Sequence, residues 1–295
     1  MLGGFVFCQD PVRLAKPLRQ LFFIDQLLQW RQIIRWFEKM RLASIIARHD
    51  VDIVMLAECP EMTAECCLFL SEQTKRNFHI VPGQSPRLRL LTRLPEEAFS
   101  PVFDDLSGRL MIRRLRLKEP RVDILLALVH LQSKLHHAEE DQRMLAMELA
   151  RDIGDHEARF AHARTVLVGD FNMNPFEPGV VGASGLHAVM TRAIAEKGTR
   201  TVSSRESRYF YNPMWSYFGD RSEGPPGTYY YRKSTPICYF WNMFDQVLLR
   251  PDIVHWLKDL RILDHDGSTS LLDKLGQPDS ETASDHLPLY FRLNP

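Results

Sequence analysis

Seven side chains in this sequence have the types and placement to do acid, base and metal chemistry together. Glu58 follows "DIVMLA", His130 follows "DILLALV", Asp170 and Asn172 follow "TVLVG", and Asp285 with His286 opens the run "HLPLYF". Each lies at the end of an apolar, strand-like run, and the carboxyl ends of core strands are where α/β proteins hold their sites. Asp245 lies inside "WNMFDQVLL", where the surrounding residues read as buried. Singly, each has a structural explanation: Asp170 as a turn residue, Glu58 as an acid near a helix start, His130 as a satisfied core histidine, Asp245 as the partner of an arginine. Together, acids, a carboxamide and two imidazoles are the inventory for metal-assisted attack on a phosphate ester.

The elements that must position these residues follow from periodicity. "LRQLFFI" (18–24) reads as a first strand, and Leu27, Ile34, Phe37, Leu42, Ile45 and Ile46 then recur at helical spacing. "VDIVMLAE" (51–58) and "VDILLALVHL" (122–131) are continuous apolar runs, expected for strands covered on both faces. A helix is expected over 61–73, a polar helix over 138–160 and a further one over 184–197, ending at Gly198 as a C-cap. "RLRLLTRL" (87–94) and "RLMIRRLRL" (109–117) mix arginine with leucine or isoleucine in near alternation. This suits antiparallel strands with one wet face. Two late strands, 242–250 and 286–293, close the chain.

Residues 205–241 are the compositional anomaly. They hold twelve aromatic residues, Tyr209 to Trp241, around "EGPPG", too aromatic for a solvated linker and too broken for one helix. A long structured loop plus a strand is expected there, and long loops in compact domains are often functional. With strands along the whole length, the chain reads as one mixed α/β domain over 1–295, with 1–17 as an amino-terminal extension and 205–241 on the substrate side.

Composition narrows the partners. Lys plus Arg and Asp plus Glu both number 37, so no global field draws the protein onto a polyanion, although a local basic groove stays open. The five cysteines (Cys8, Cys59, Cys66, Cys67 and Cys238) form no CxxC pair, which argues against structural zinc and for reduced, buried thiols. No run reaches the roughly 18 apolar residues of a membrane span, and "MLGGFVFCQD" has no basic region of a signal peptide. A cytoplasmic protein without a membrane partner is expected; oligomeric state is not readable.

With "LAE" (56–58), "VHL" (129–131), "GDFNMNP" (169–175), "WNMFDQVLL" (241–249) and "SDHLPL" (284–289) in this order, the chain resembles the DNase-I-like endonuclease/exonuclease/phosphatase superfamily over residues 50–293. The pair "GDFN" and "SDH" is the specific part. The resemblance implies an α/β (α+β) fold: a four-layer α/β/β/α sandwich of two packed mixed β-sheets with outer helices. It implies that Glu58 and Asp285 bind Mg²⁺ or Mn²⁺, that Asp170 orients or deprotonates water, and that Asn172 donates to a phosphate oxygen. His286 then contacts the scissile phosphate with Asp245 on its other nitrogen, and His130 is a second phosphate contact and an acid for the leaving oxygen. One departure is that the family's first strand ends in Asn, whereas "LFFIDQ" offers Asp25 and Gln26. The implied activity is metal-dependent hydrolysis of nucleic acid, endonuclease or exonuclease, with DNA favoured. The Arg-rich strands serve as a phosphate groove or as a solvated face paired with acids, and aromatic residues of 209–241 as base-stacking groups. A phosphatase or phosphodiesterase acting on a small molecule or lipid headgroup is the alternative, as is a weakened member acting as a binding module.

Overall fold

The computed structural model describes residues 20–24, 36–58, 64–134 and 138–295. Asp25, Gln26, Leu27 and Ile34 fall outside the described residues, as do Cys8, Cys59 and the expected start of the second helix.

Two sheets carry the molecule. The six-stranded sheet runs in the order Leu257–Ile262, Leu289–Leu293, Gln20–Ile24, Ile53–Leu56, Arg89–Thr92, His79–Ile80. The seven-stranded sheet runs in the order Phe99–Asp104, Leu110–Leu117, Val122–His130, Thr165–Asp170, Asp245–Leu249, Phe210–Tyr211, Ala188–Val189. Both are mixed: Gln20–Ile24 pairs parallel with Ile53–Leu56, and Val122–His130 parallel with Thr165–Asp170, among otherwise mostly antiparallel neighbours.

The continuous apolar runs divide by side-chain alternation. Ile124, Leu126, Leu128, Val166, Val168, Val247 and Leu249 join the core shared with the six-stranded sheet. Their alternates Leu125, Ala127, Val129, Leu167 and Leu248 pack instead with Ala146, Leu149 and Ile153 of the helix Glu139–Phe160. Period-two side chains thus bury both faces of one sheet, which is why those segments carry no polar alternation. The helices Trp36–His49 and Ala64–Thr74 add Leu42, Ile45, Ile46, Cys66, Cys67 and Leu70 to the core that holds the six-stranded sheet. The result is the four-layer α/β/β/α sandwich.

Three expectations are corrected. The two Arg-rich segments lie in different sheets, and neither shows a continuous wet face: Leu90, Leu91 and Thr92 are all buried, and Arg113 is wholly so. The helix expected over 184–197 is only Arg192–Ala195. Ala188 and Val189 are drawn instead into a parallel pairing with Phe210 and Tyr211. Residues 205–241 form more than a loop and one strand: Arg205–Arg208, Phe210–Tyr211, Tyr229–Tyr231 and Phe240–Asn242 are strands, with a 3₁₀ turn at Pro213–Tyr217. Among the described residues no helix is long and apolar enough to cross a membrane.

Candidate active site

Strand register brings three of the seven residues abreast. His130 pairs with Asp170 across the parallel ladder, and Asp245 pairs with Asp170 across the antiparallel one. Gly169 makes that approach possible. Its φ is +148°, and a Cβ there would lie 1.8 Å from the Val129 carbonyl oxygen, so no side chain fits one residue before Asp170.

Asp170 is held by the turn that follows it. The Asn172 backbone N–H donates to Asp170 Oδ1 at 2.7 Å, and its carboxamide N–H donates to Oδ2. The second carboxamide hydrogen goes to the Leu131 carbonyl at 3.0 Å, while the Asn172 carbonyl accepts from Gln142 of the long outer helix at 3.0 Å. Asn172 has a φ of +48°, a left-handed conformation that asparagine tolerates better than most residues. Both amide hydrogens therefore orient Asp170 and close the loop, rather than pointing at the phosphate as the resemblance implied.

His286 completes the row from the other sheet's side. Its Nδ1 lies 2.8 Å from Asp245 Oδ2, and both groups are buried. A carboxylate is an acceptor, so Nδ1 carries the proton in this bond. The segment is fixed by backbone contacts: Tyr229 forms a bridge with His286, and Leu287 N–H donates to Thr228 O at 2.8 Å. The Thr228 hydroxyl accepts from Asp245 N–H at 3.1 Å. The Tyr229 ring lies 4.6 Å from the imidazole, and burial beside Asp285 pushes its phenol up to about 12.

Glu58 and His130 form the third side. His130 Nε2 lies 3.4 Å from Glu58 Oε1 and 3.8 Å from Asp170 Oδ2. Burial pushes the imidazole down to about 4, with the Arg87 guanidinium acting in the same direction. His130 is then neutral at pH 7, without a spare proton to give as a cationic acid. Burial raises the Glu58 carboxyl, and the charge of Asp285 adds to this while Arg87 opposes it.

Glu58 and Asp285, whose negative charges meet across a solvent-open cleft, suit a cation, and their donors are hard oxygens. Among the described residues no cluster of three His, Cys, Asp or Glu forms a preformed metal cage. Mg²⁺ does not require one, since it binds through one or two carboxylates and keeps waters and substrate oxygens. The donor set therefore fits Mg²⁺ or Mn²⁺, while Asp25 falls outside the described residues.

All of these groups except Asp245 line one cleft of about 680 Å³. Three cations join them: Arg87, Lys134 and Lys233. Lys134 and Lys233 escaped sequence reading. Lys134 had a usable signal, standing four residues beyond His130 at the same strand end, whereas Lys233 in its aromatic loop had none. Among the Arg-rich strands only Arg87 reaches the cleft. Arg93 pairs with Asp50 and Asp52, Arg109 with Asp105, Arg113 with Asp104 and Arg114 with Asp123. Four of the segment's arginines are thus paired with acids, and Arg87 is the one that lines the cleft.

No family model matches the sequence, and no curated protein matches it. Solved structures do. An endonuclease/exonuclease/phosphatase family protein from Leptotrichia buccalis C-1013-b matches at 13% identity and a TM-score of 0.58, over 94% of this chain and 99% of that one. TDP2 of D. rerio, complexed with single-strand DNA product, matches at 14% identity and a TM-score of 0.55, over 94% and 99%. ANGEL2, a 2′,3′-cyclic phosphatase in complex with adenosine-2′,3′-vanadate, matches at 18% identity and a TM-score of 0.58, over 95% and 97%. At these identities the likeness establishes the fold.

Proposed function

From the endonuclease/exonuclease/phosphatase fold and the residues its cleft gathers, we propose that this chain is a divalent-metal-dependent phosphodiesterase that hydrolyses nucleic acid by in-line attack of water. The observation that carries the reading is the row His130–Asp170–Asp245, abreast on three adjacent strands, with His286 bonded to Asp245 at its end. A purely structural acid does not need a second acid and an imidazole on either side of it at the floor of an open cleft. That a D. rerio neighbour carries a DNA product supports DNA ahead of RNA as the substrate.

Each residue has a role set by its contacts. Glu58 and Asp285 hold Mg²⁺ or Mn²⁺, which supplies charge neutralisation on the phosphate when bound. Asp170, fixed by the backbone N–H and one carboxamide hydrogen of Asn172, accepts the hydrogen of the attacking water. His286 donates from Nε2 to a phosphate oxygen, and buried Asp245 fixes its tautomer and favours the positive imidazolium as charge builds. Neutral His130 contributes a second hydrogen bond to the phosphate. Arg87 and Lys233 attract the polyanion to the cleft, while Lys134, also in its lining, is paired with Glu177.

The test incubates purified protein with single-stranded DNA, duplex DNA, RNA and phosphomonoesters, in Mg²⁺, Mn²⁺ or EDTA. Cleavage of a nucleic acid that requires the metal and is lost in Asp170→Ala and His286→Ala is expected. Turnover of phosphomonoesters alone overturns the substrate assignment. No metal-dependent turnover of any phosphate ester overturns the activity.

A further inference from the structure

The strands Tyr229–Tyr231 and Phe240–Asn242 form a two-stranded ribbon whose connecting loop overhangs the cleft. Tyr229, at the base of the ribbon, forms the bridge with His286, so the ribbon is tied directly to the phosphate-contacting histidine. At the loop end, Ile237 is 73% exposed and Tyr239 57% exposed, and both line the cleft. Ile237 and Tyr239 thus place apolar surface at the mouth of a cleft that also holds acids and cations.

The Tyr239 ring is nevertheless held in a fixed plane. Phe176 meets it edge-on, with centroids 5.3 Å apart and planes at 62°. Phe176 is itself braced by Trp215 at 6.4 Å and Phe218 at 5.9 Å. A T-shaped contact orients a ring and engages at most one of its two faces. The loop is also stitched internally: Cys238 Sγ accepts from Lys233 N–H at 3.3 Å, and Lys233 Nζ lies 5.1 Å over the Tyr231 ring. That cation stands over Tyr231, and Lys233 and Tyr239 line the same cleft.

We propose that Tyr239, braced by Phe176, is a stacking platform for an unpaired nucleobase next to the scissile phosphate, with Lys233 meeting the adjoining backbone phosphate. The inference rests on the phosphodiesterase reading and sharpens its substrate to single-stranded or frayed nucleic acid. A nucleotide's flat base and its phosphate match a cleft whose lining offers both an oriented aromatic ring and a cation. A base within a duplex already has both faces stacked on its neighbours and is denied the platform. A lipid surface requires protruding apolar groups but no ring held in one plane, and it has no use for the edge-on brace.

The test uses single-stranded nonamers of DNA and RNA with phosphorothioate linkages that resist hydrolysis and 2-aminopurine as the reporting base, in Mg²⁺. Stacking quenches 2-aminopurine, so quenching on binding to the wild-type protein is expected. Tyr239→Ala is expected to bind about 5- to 150-fold more weakly with the quenching lost, the range that corresponds to one stacked base. Tyr239→Phe is expected to restore both, and a blunt duplex to bind more weakly than the single strand. Wild-type affinity and quenching in Tyr239→Ala overturns the platform. So does failure of the wild type to bind either nonamer, or binding to anionic vesicles in their place. A parallel turnover assay on ordinary phosphodiester nonamers separates the two readings. Quenching without turnover removes the catalytic assignment and leaves the platform; turnover without quenching does the reverse.

Discussion

Glu157 and Asp245 are both buried acids served by the seven-stranded sheet, yet they are partnered in opposite ways. Glu157 Oε1 accepts from Arg250 Nε at 2.8 Å and from the Thr165 hydroxyl at 2.6 Å, and Arg250 uses its remaining donors on the Arg208 and Tyr209 carbonyls. Arg113 and Asp104 repeat the pattern. A guanidinium is permanently charged, so these pairs are closed. Asp245 instead faces an imidazole, a group that can be neutral or cationic, and its Oδ1 is buried without a hydrogen-bond partner among the described residues. The first arrangement fixes the fold. The second leaves capacity for a proton and a charge that arrive only with substrate, and it stands where the fold opens into the cleft.

That contrast can be broken in graded steps. Glu157→Ala strands Arg250 as a buried charge, and a loss of about 3–5 kcal/mol in denaturant unfolding is expected, with turnover per folded molecule retained. A stability change under about 1 kcal/mol would mean that the pair is hydrated and not closed. Asp245→Asn should behave inversely. Its midpoint should move little while turnover falls by about 10- to 100-fold, since His286 loses the carboxylate that orients it. The smallest effect concerns pH. The His130 imidazole is pushed from its usual 6.5 to about 4 in the folded protein, so the folded state binds fewer protons than the unfolded chain between those values. Stability should therefore fall as pH drops through that window and level off below about 4. In metal-free protein, His130→Gln should make the fall of the thermal midpoint between pH 6.5 and pH 4 shallower. Parallel curves for variant and wild type would contradict a neutral, buried His130.

Much of this division was legible in the sequence, for a physical reason. Site residues at strand ends are reported by the apolar runs that precede them, and register aligned His130, Asp170 and Asp245 once those runs paired. The arginines were not legible in the same way. An Arg–Leu alternation looks identical whether the guanidinium faces water or an acid brought from elsewhere, and Asp50, Asp104 and Asp123 are brought by folding. The helix expected over 184–197 failed similarly. Gly185 packs so closely that a Cβ would lie 2.2 Å from the Gly179 carbonyl oxygen, and the apolar residues that looked helical serve a sheet edge instead. Asn172 was legible as a residue of the site but not in its role, because sequence shows that a carboxamide is present and not where its two hydrogens go.

The contrast between closed and open acids is tested most directly at Asp170, by measuring turnover and thermal midpoint of Asp170→Asn on the same preparation, with a single-stranded phosphodiester substrate in Mg²⁺. The substitution keeps the shape and removes the acceptor charge. A fall in turnover of about 10²- to 10⁴-fold, with the midpoint held or raised, is the expected result. Wild-type turnover with a lowered midpoint would place Asp170 with Glu157, as an acid that holds the fold and does no chemistry.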